Sequence, residues 1–269
     1  MIIALSKQNM RIGIYYYKNK NEEISKMIEQ EAIKRGFLLD DHYPDVVFTV
    51  GGDGTFLRAV HRYMDILDEV HFIGINNGTL GFFYDYTKED IPMLMDMLKN
   101  NNFKVKTHRL LKADVKYQSE VETIYAVNEI RIENPFHTLI ANVSIDNQLL
   151  ETFRGNGLMV CSPLGSSGYN KSLGGALLDQ DLDVMELKEI AAIQNNIYRA
   201  LGSPFVFSSD KDISFSGTFN GAVVGYDHLS LDKHDVLLKV DICCSDKTVK
   251  IIHGEDHSYI NKVRKSFVL

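Results

Sequence analysis

Over roughly its first hundred residues the chain alternates runs of β-forming, mostly apolar residues with stretches of helical spacing. The runs are Arg11-Ile12-Gly13-Ile14-Tyr15-Tyr16-Tyr17, Val46-Val47-Phe48-Thr49-Val50 and Val70-His71-Phe72-Ile73-Gly74-Ile75. Each reads as a strand. Between the first two, residues 21–35 place Ile24, Met27, Ile28 and Ala32 on one side of a helix. A second helix is expected from Phe56 to about Leu67, and a third from about Lys88 to Leu98. Strands alternating with helices predict a parallel sheet covered on both faces. Ligands of such sheets sit beyond the carboxyl ends of the strands. Two glycine-rich loops, 51–54 and 76–81, fall at that end.

From about Lys104 the texture changes to short strand candidates, at 113–117, 124–127, 139–145, 205–207, 213–215, 222–224, 236–241 and 249–252. They predict a β-rich second domain, interrupted by one helical stretch from about Asp183 to Ala200. The boundary is placed near Phe103, giving an α/β domain over 1–103 and a β-rich domain over 104–249.

The first glycine loop is Gly51-Gly52-Asp53-Gly54-Thr55, between a strand and a helix. Its backbone N–H groups and the helix N-terminus are suited to an anionic phosphate. A carboxylate at the centre of such a turn repels phosphate and needs another reason to be there. Taking the proton from a hydroxyl that attacks the phosphate is one. A plain tight turn is the other. The second block runs from Arg154 through Gly155-Asn156-Gly157 and Ser162-Pro163-Leu164-Gly165-Ser166-Ser167-Gly168-Tyr169-Asn170-Lys171-Ser172 to Gly174-Gly175-Ala176. Such a run can lie flat against a planar ligand and read its edges with hydroxyls and backbone groups. It is equally consistent with a structural loop that caps a helix starting near Ser166. Its glycine pattern is wrong for a dinucleotide-fold fingerprint. The third element, Asn128-Glu129, follows a strand and has the groups to hold a ribose diol or an adenine edge.

Composition narrows the field. A net charge of −7 and a pI near 5.7 argue against general binding to nucleic acid or an anionic membrane. Cys161, Cys243 and Cys244 make neither a disulfide framework nor a zinc site, and suit a reducing cytoplasm. No signal peptide and no 18-residue apolar run is visible, so a cytoplasmic protein is expected. No G-x-x-x-x-G-K-[ST] and no His-Arg-Asp loop occurs. His253 and His257 have the i, i+4 spacing of a metal site but no H-E-x-x-H context, and read as surface residues.

Taken in order, Gly51 to Thr55, Asn76 to Phe82, Asn128-Glu129 and Arg154 to Gly175 resemble the motifs of the NAD kinase family over roughly residues 46–230. The first motif alone is shared with lipid kinases of the diacylglycerol and sphingosine type. The long Arg154 block favours NAD kinase.

The resemblance implies an N-terminal α/β domain, a β-rich C-terminal domain, NAD bound between them, and a tail, about 250–269, that returns to the first domain. It implies phosphoryl transfer from ATP, or polyphosphate in some members, to the adenosine 2′-hydroxyl of NAD, with Mg²⁺ or another divalent cation. Asp53 would be the general base. Gly51, Gly52 and Gly54 would face phosphate or ribose, and Phe82 and Phe83 would line the adenosine pocket. Asn128 and Glu129 would hold adenine and ribose. Arg154, Asn156, Ser166, Ser167, Gly168, Tyr169, Asn170, Lys171 and Ser172 would contact the dinucleotide, and Ala191 would meet it through its backbone. A homotetramer or dimer is the family's usual state.

Three positions depart from the family pattern. Asn156 stands for an Asp, Ser167-Gly168 for Thr-Ala, and Asp227-His228 where many members have Asp-Gly. Asn156 exchanges a charged contact for an amide one, and is the one feature consistent with a non-catalytic NAD-binding sensor.

Overall fold

The computed structural model describes residues 10–17, 21–78, 81–231, 233, 235–254 and 258–269. The chain divides into two units, one holding the residues up to His108 together with Lys247–Leu269, the other Arg109–Asp246. The sequence boundaries were expected at 103 and near 250.

The first unit opens with β1 (Arg11–Tyr16), α1 (Glu22–Lys34), β2 (Leu38–Leu39), β3 (Val46–Gly51), α2 (Asp53–Arg62), β4 (His71–Asn76) and α3 (Ile91–Lys99). The strands lie parallel in the order β2-β1-β3-β4. Val46, Val47, Phe48, Thr49 and Val50 are all buried, because helices cover both faces of a parallel sheet. That double burial is why the strand reads as a nearly continuous apolar run, with Thr49 bonding the Ile73 carbonyl through its hydroxyl. Ile24, Ile28 and Ala32 of α1 and Ile91, Leu94, Met95 and Leu98 of α3 supply one core, with Ile12, Phe48 and Ile75. The helix after the first glycine loop starts at Asp53, three residues earlier than expected, and gives way to a 3₁₀ segment at Met64–Glu69.

The second unit is built from most of β5 (Lys104–Tyr117), β6 (Val121–Ala126), β7 (Glu129–Glu133), β8 (Leu139–Ile145), β9 (Gln148–Gly155), β10 (Gly157–Cys161), the single-turn α4 (Tyr169–Ser172), β11 (Val184–Ile190), β12 (Phe205–Ser208), β13 (Ile213–Phe219), β14 (Val223–Tyr226), β15 (Leu229–Leu231) and most of β16 (Leu237–His253). One antiparallel sheet has the order β12-β11-β10-β7-β14-β15. The other runs β16-β13-β8-β9, with β5 pairing β16 and β6. Leu158, Val160, Met185 and Leu187 of the first sheet share a core with Val143, Phe153, Phe215 and Val240 of the second. β10 is buried on both faces, Met159 and Cys161 packing the other way against Ile190 and Leu173.

The helix expected over 183–200 is not there. Residues 184–190 are strand β11, and no helix is present over 191–200. Met, Glu, Leu and Lys favour helix, but register with β10 buries Met185 and Leu187, and tertiary packing overrides so weak a preference. The helix expected near Ser166 begins only at Tyr169.

The last part of β16 belongs to the first unit, where Lys250 and Ile251 pair in parallel with His71 and Phe72 of β4. α5 (Tyr259–Phe267) follows, with Ser258 Oγ accepting the Asn261 N–H as its cap. No helix among the described residues is long and apolar enough to cross a membrane.

Candidate active site

In the first unit, Gly51 ends β3 opposite Asn76 at the end of β4, so both glycine loops leave the same edge of the sheet. Thr79 and Leu80 of the second loop lie outside the described residues. Asp53 is the first helical residue of α2, where the helix dipole favours a negative charge. Its Oδ2 accepts the Phe82 N–H at 3.1 Å and its Oδ1 the Phe83 N–H at 3.2 Å. The Tyr84 hydroxyl donates to the Gly52 carbonyl at 2.9 Å. The loop therefore clamps onto the helix start at three points. A Cβ on Gly81 would come within 2.7 Å of Asp53 Oδ1 and 2.9 Å of the Tyr84 ring, which is why a side chain is excluded there. Gly54 is exposed, and its carbonyl accepts from Arg58.

Burial raises the Asp53 pKa above the ordinary aspartate value, while the Phe82 and Phe83 N–H groups and the Lys262 charge pull it down. A carboxylate has about four lone-pair sites, and the two loop N–H groups occupy two of them. The group keeps acceptor capacity together with raised basicity.

The rings of Phe82 and Phe83 take part in packing. Phe83 stacks on Phe56 with centroids 4.3 Å apart, and Phe82 lies against Phe267 and Tyr259. Both residues are buried, and it is their N–H groups that face Asp53. Behind the loop, Lys262 Nζ donates to the Phe82 carbonyl at 2.7 Å and sits 2.6 Å from Asp85 Oδ1, while Asp85 Oδ2 lies 2.6 Å from His253 Nδ1. His253 is thus buried beside the Lys262–Asp85 ion pair at the end of β16, which corrects its reading as a surface residue. His257 lies outside the described residues. Tyr84, Asp85, His253 and Lys262 border a cavity of about 970 Å³ that Asp53 does not line.

In the second unit, Asn128 links β6 to β7 and Glu129 opens β7. Asp227 holds this corner. Its Oδ2 accepts the Val127 N–H at 2.9 Å, its Oδ1 the Asn128 N–H at 2.7 Å, and its own N–H donates to the Glu129 carbonyl at 3.2 Å. Asp227 adopts a φ of +47°, a conformation Asp tolerates better than most residues. The Ser162 N–H donates to the Asn128 carbonyl at 2.8 Å, and a Cβ on Gly165 would collide with that carbonyl at 2.3 Å. Glu129 Oε1 pairs with Arg131 Nη1 at 3.1 Å, while Oε2 has no hydrogen-bond partner. Burial above all, then the nearby Asp227 charge, pushes the Glu129 carboxyl up to about 7 against the pull of Arg131. Arg131 also bonds Glu133 at 2.8 Å and lies 5.5 Å over the Tyr169 ring, whose hydroxyl donates to Glu133 at 3.0 Å.

Around α4 the expected contact residues divide. Gly168, Tyr169, Lys171 and Ser172 are exposed and Ser167 is half-buried. Ser166 and Asn170 are buried and bonded within the loop. Ser166 Oγ accepts the Leu178 N–H at 3.1 Å, and Asn170 Nδ2 donates to Glu186 Oε2 at 2.9 Å. Asn156 also turns inward, its amide donating to the Asn134 carbonyl at 3.0 Å. The Arg154 guanidinium lies 4.5 Å over the Tyr198 ring. Ala191 is exposed at a φ of +48°, which costs an alanine about 1–2 kcal/mol.

Among the described residues no three His, Cys, Asp or Glu side chains cluster as metal ligands. Asp227, Arg131 and Lys262 were not picked out as site residues from the sequence. Only Asp227 carried any local signal there, as part of an unusual Asp-His pair.

Residues 7–103 match the family model for the ATP-NAD kinase N-terminal domain, and residues 127–254 that for the ATP-NAD kinase C-terminal domain. The chain belongs to the NAD kinase family. It is 34% identical over 266 residues to the NAD kinase of Limosilactobacillus reuteri, covering 96% of this chain and 98% of the relative. The NAD kinase of Leuconostoc citreum is 35% identical over 265 residues, with the same coverage. The chain is an NAD kinase enzyme by this membership. Among solved structures, yeast NADH kinase complexed with NADH superposes with a TM-score of 0.85 at 15% identity, covering 97% of this chain and 88% of that one. An NAD kinase from Archaeoglobus fulgidus in complex with ATP gives 0.76 at 22% identity, covering 95% and 99%. These two likenesses establish the shared two-domain fold.

Proposed function

We propose that the chain transfers the terminal phosphoryl group of ATP to the adenosine 2′-hydroxyl of NAD, with Asp53 as general base. The 2′-oxygen forms the new bond to phosphorus, its proton passes to the Asp53 carboxylate, and the bond from the terminal phosphorus to the bridging oxygen breaks to leave ADP. The observation that carries the reading is the Asp53 carboxylate at the start of α2, fixed by the Phe82 and Phe83 N–H groups and raised in basicity by burial. In a loose phosphoryl-transfer transition state the protein mainly positions groups and offsets charge. A divalent cation arriving on the donor phosphates would neutralise charge there.

Asn128 and Glu129 would take the adenosine, held in place by Asp227. A Glu129 carboxyl with a pKa near 7 can both donate to and accept from a ribose diol. The left-handed backbone at Ala191 fits a contact made through main-chain groups. Asn156, whose amide is engaged with Asn134, would tune the preference between NAD and NADH. Exposed Ile140, Leu149, Ile193, Ile197 and Val206 of the second unit fit self-association into a dimer or homotetramer, which light scattering measures. The free cysteines fit a cytoplasmic setting.

The test is NADP formation from NAD, ATP and Mg²⁺ by the protein and by Asp53→Asn. Removal of the base should lower the rate by roughly 10²–10⁴. A folded Asp53→Asn variant at the parent rate removes Asp53 from the role. Turnover with polyphosphate and none with ATP would replace the donor.

A further inference from the structure

Lys262 is a buried lysine on an otherwise largely exposed helix, 8% accessible among neighbours that are mostly half-open or open to solvent. A buried ammonium is costly unless it is paired and hydrogen-bonded. Here it has both, donating to the Phe82 carbonyl at 2.7 Å and pairing with Asp85 at 2.6 Å. The Phe82 carbonyl and the Phe83 N–H belong to one planar peptide group. At its other end that N–H donates to Asp53 Oδ1 at 3.2 Å. A cation at the oxygen end of an amide draws electron density toward itself and strengthens donation from the nitrogen end.

We propose that Lys262 is a positioning residue for Asp53, acting through the peptide group between Phe82 and Phe83. The inference deepens the reading of Asp53 as base and rests on it. Asp85 and His253 hold Lys262 from the opposite side. The titratable groups around the carboxylate are then Tyr84 of the loop and Lys262 of α5, with Asp85 and His253 one contact further out.

The variants are Lys262→Met, Lys262→Gln and Lys262→Arg. The Gln side chain keeps a donor for the Phe82 carbonyl and removes the charge, so it stands in if the Met variant does not fold. The bordering cavity gives Arg room. Two readouts are taken. The first is the titration of the Asp53 carboxyl by NMR on protein labelled with ¹³C-aspartate, the resonance being identified by its loss in Asp53→Asn. The second is kcat and KM for NADP formation across pH.

The neutral variants should move the Asp53 titration to higher pH by about half a unit or more. The acid limb of kcat/KM should follow. For Lys262→Met, kcat should fall roughly 10-fold to 10²-fold with KM changed about twofold or less, and Lys262→Arg should recover most of the rate. A helix that merely holds the fold together would lower the melting temperature and leave both pH curves where they were. Folded neutral variants with an unmoved Asp53 titration overturn the proposal. If the parent makes no NADP, the functional reading falls, and the NMR titration still decides whether Lys262 acts on Asp53.

Discussion

Replacing Asp227 by Asn changes one atom in the corner that presents Asn128 and Glu129. The carboxylate accepts two backbone N–H groups, one on each oxygen, at 2.7 Å and 2.9 Å, and an amide in its place presents an oxygen to only one of them. The other N–H then faces an NH₂ donor. A buried donor left without a partner costs about 1–3 kcal/mol, and the surviving bond falls from charge-assisted to neutral for about 1 kcal/mol more. Asn tolerates the φ of +47°, so backbone strain adds little. One effect opposes these. Loss of the Asp227 charge relieves Glu129, so the comparison belongs near pH 5.5, where a carboxyl titrating at about 7 is protonated and indifferent to its neighbour. Summed, the second unit should lose about 2–4 kcal/mol, a fall of about 5–15 °C in melting temperature. In kinetics the loosened corner should raise KM for NAD about tenfold, the equivalent of 1.4 kcal/mol, with kcat less affected. The assays are thermal unfolding by circular dichroism at pH 5.5 and initial rates of NADP formation at varied NAD. An Asp227→Asn variant with the parent's melting temperature and KM would refute the assignment of Asp227 as the brace of this corner.

Two further predictions follow from the same geometry. The Glu129 carboxyl is raised in the folded chain from its ordinary value to about 7, so its contribution to stability is complete below about pH 4.5 and is lost as pH rises through 7. Stability measured by urea unfolding should therefore fall by about 3 kcal/mol over that interval, with Glu151, also raised to about 7 by burial and by Glu189, adding to the slope. Glu129→Gln should flatten the Glu129 part, and an identical profile in that variant would contradict it. Gly81→Ala places a methyl against Asp53 Oδ1 and the Tyr84 ring, and should lower kcat roughly 10²-fold by displacing the base while the protein stays folded. A parent-like kcat would mean that the loop yields without moving Asp53.

The parallel strands β3 and β4 are legible because burial on both faces favours apolar, β-forming residues at nearly every position, Thr49 and His71 being the buried polar exceptions. The glycine motif was legible because its chemistry is local to five residues. The rest depended on partners far away in the chain. The N–H groups that fix Asp53 come from 29 and 30 residues downstream, and Lys262 reaches Phe82 across 180. Nothing around Lys262 in the sequence distinguishes it from a solvated lysine. β11 was misread as helix because its residue types favour helix locally, while the pairing with β10 and the bonds from Ala176 and Asn170 to Glu186 lie outside that window. β10 went unnoticed inside the glycine-rich block, where buried Leu158, Met159 and Val160 looked like part of a loop. His253 shows the same limit, since its contact with Asp85 reaches across 168 residues of chain.

The loop that clamps Asp53 is finished by residues from the far end of the chain, and this has a consequence for biosynthesis. Phe82 waits for Lys262, and β4 waits for Lys250 and Ile251. At about 5–20 residues per second, a ribosome that has just made residue 108 needs about 8–30 s more to reach residue 262. Throughout that interval the nascent first unit holds the glycine motif and the loop that clamps it without the Lys262 contact behind that loop, and chains broken off in the second unit never acquire it. Completion of the first unit's sheet and of the support behind its loop is thereby tied to translation having run through the whole fold.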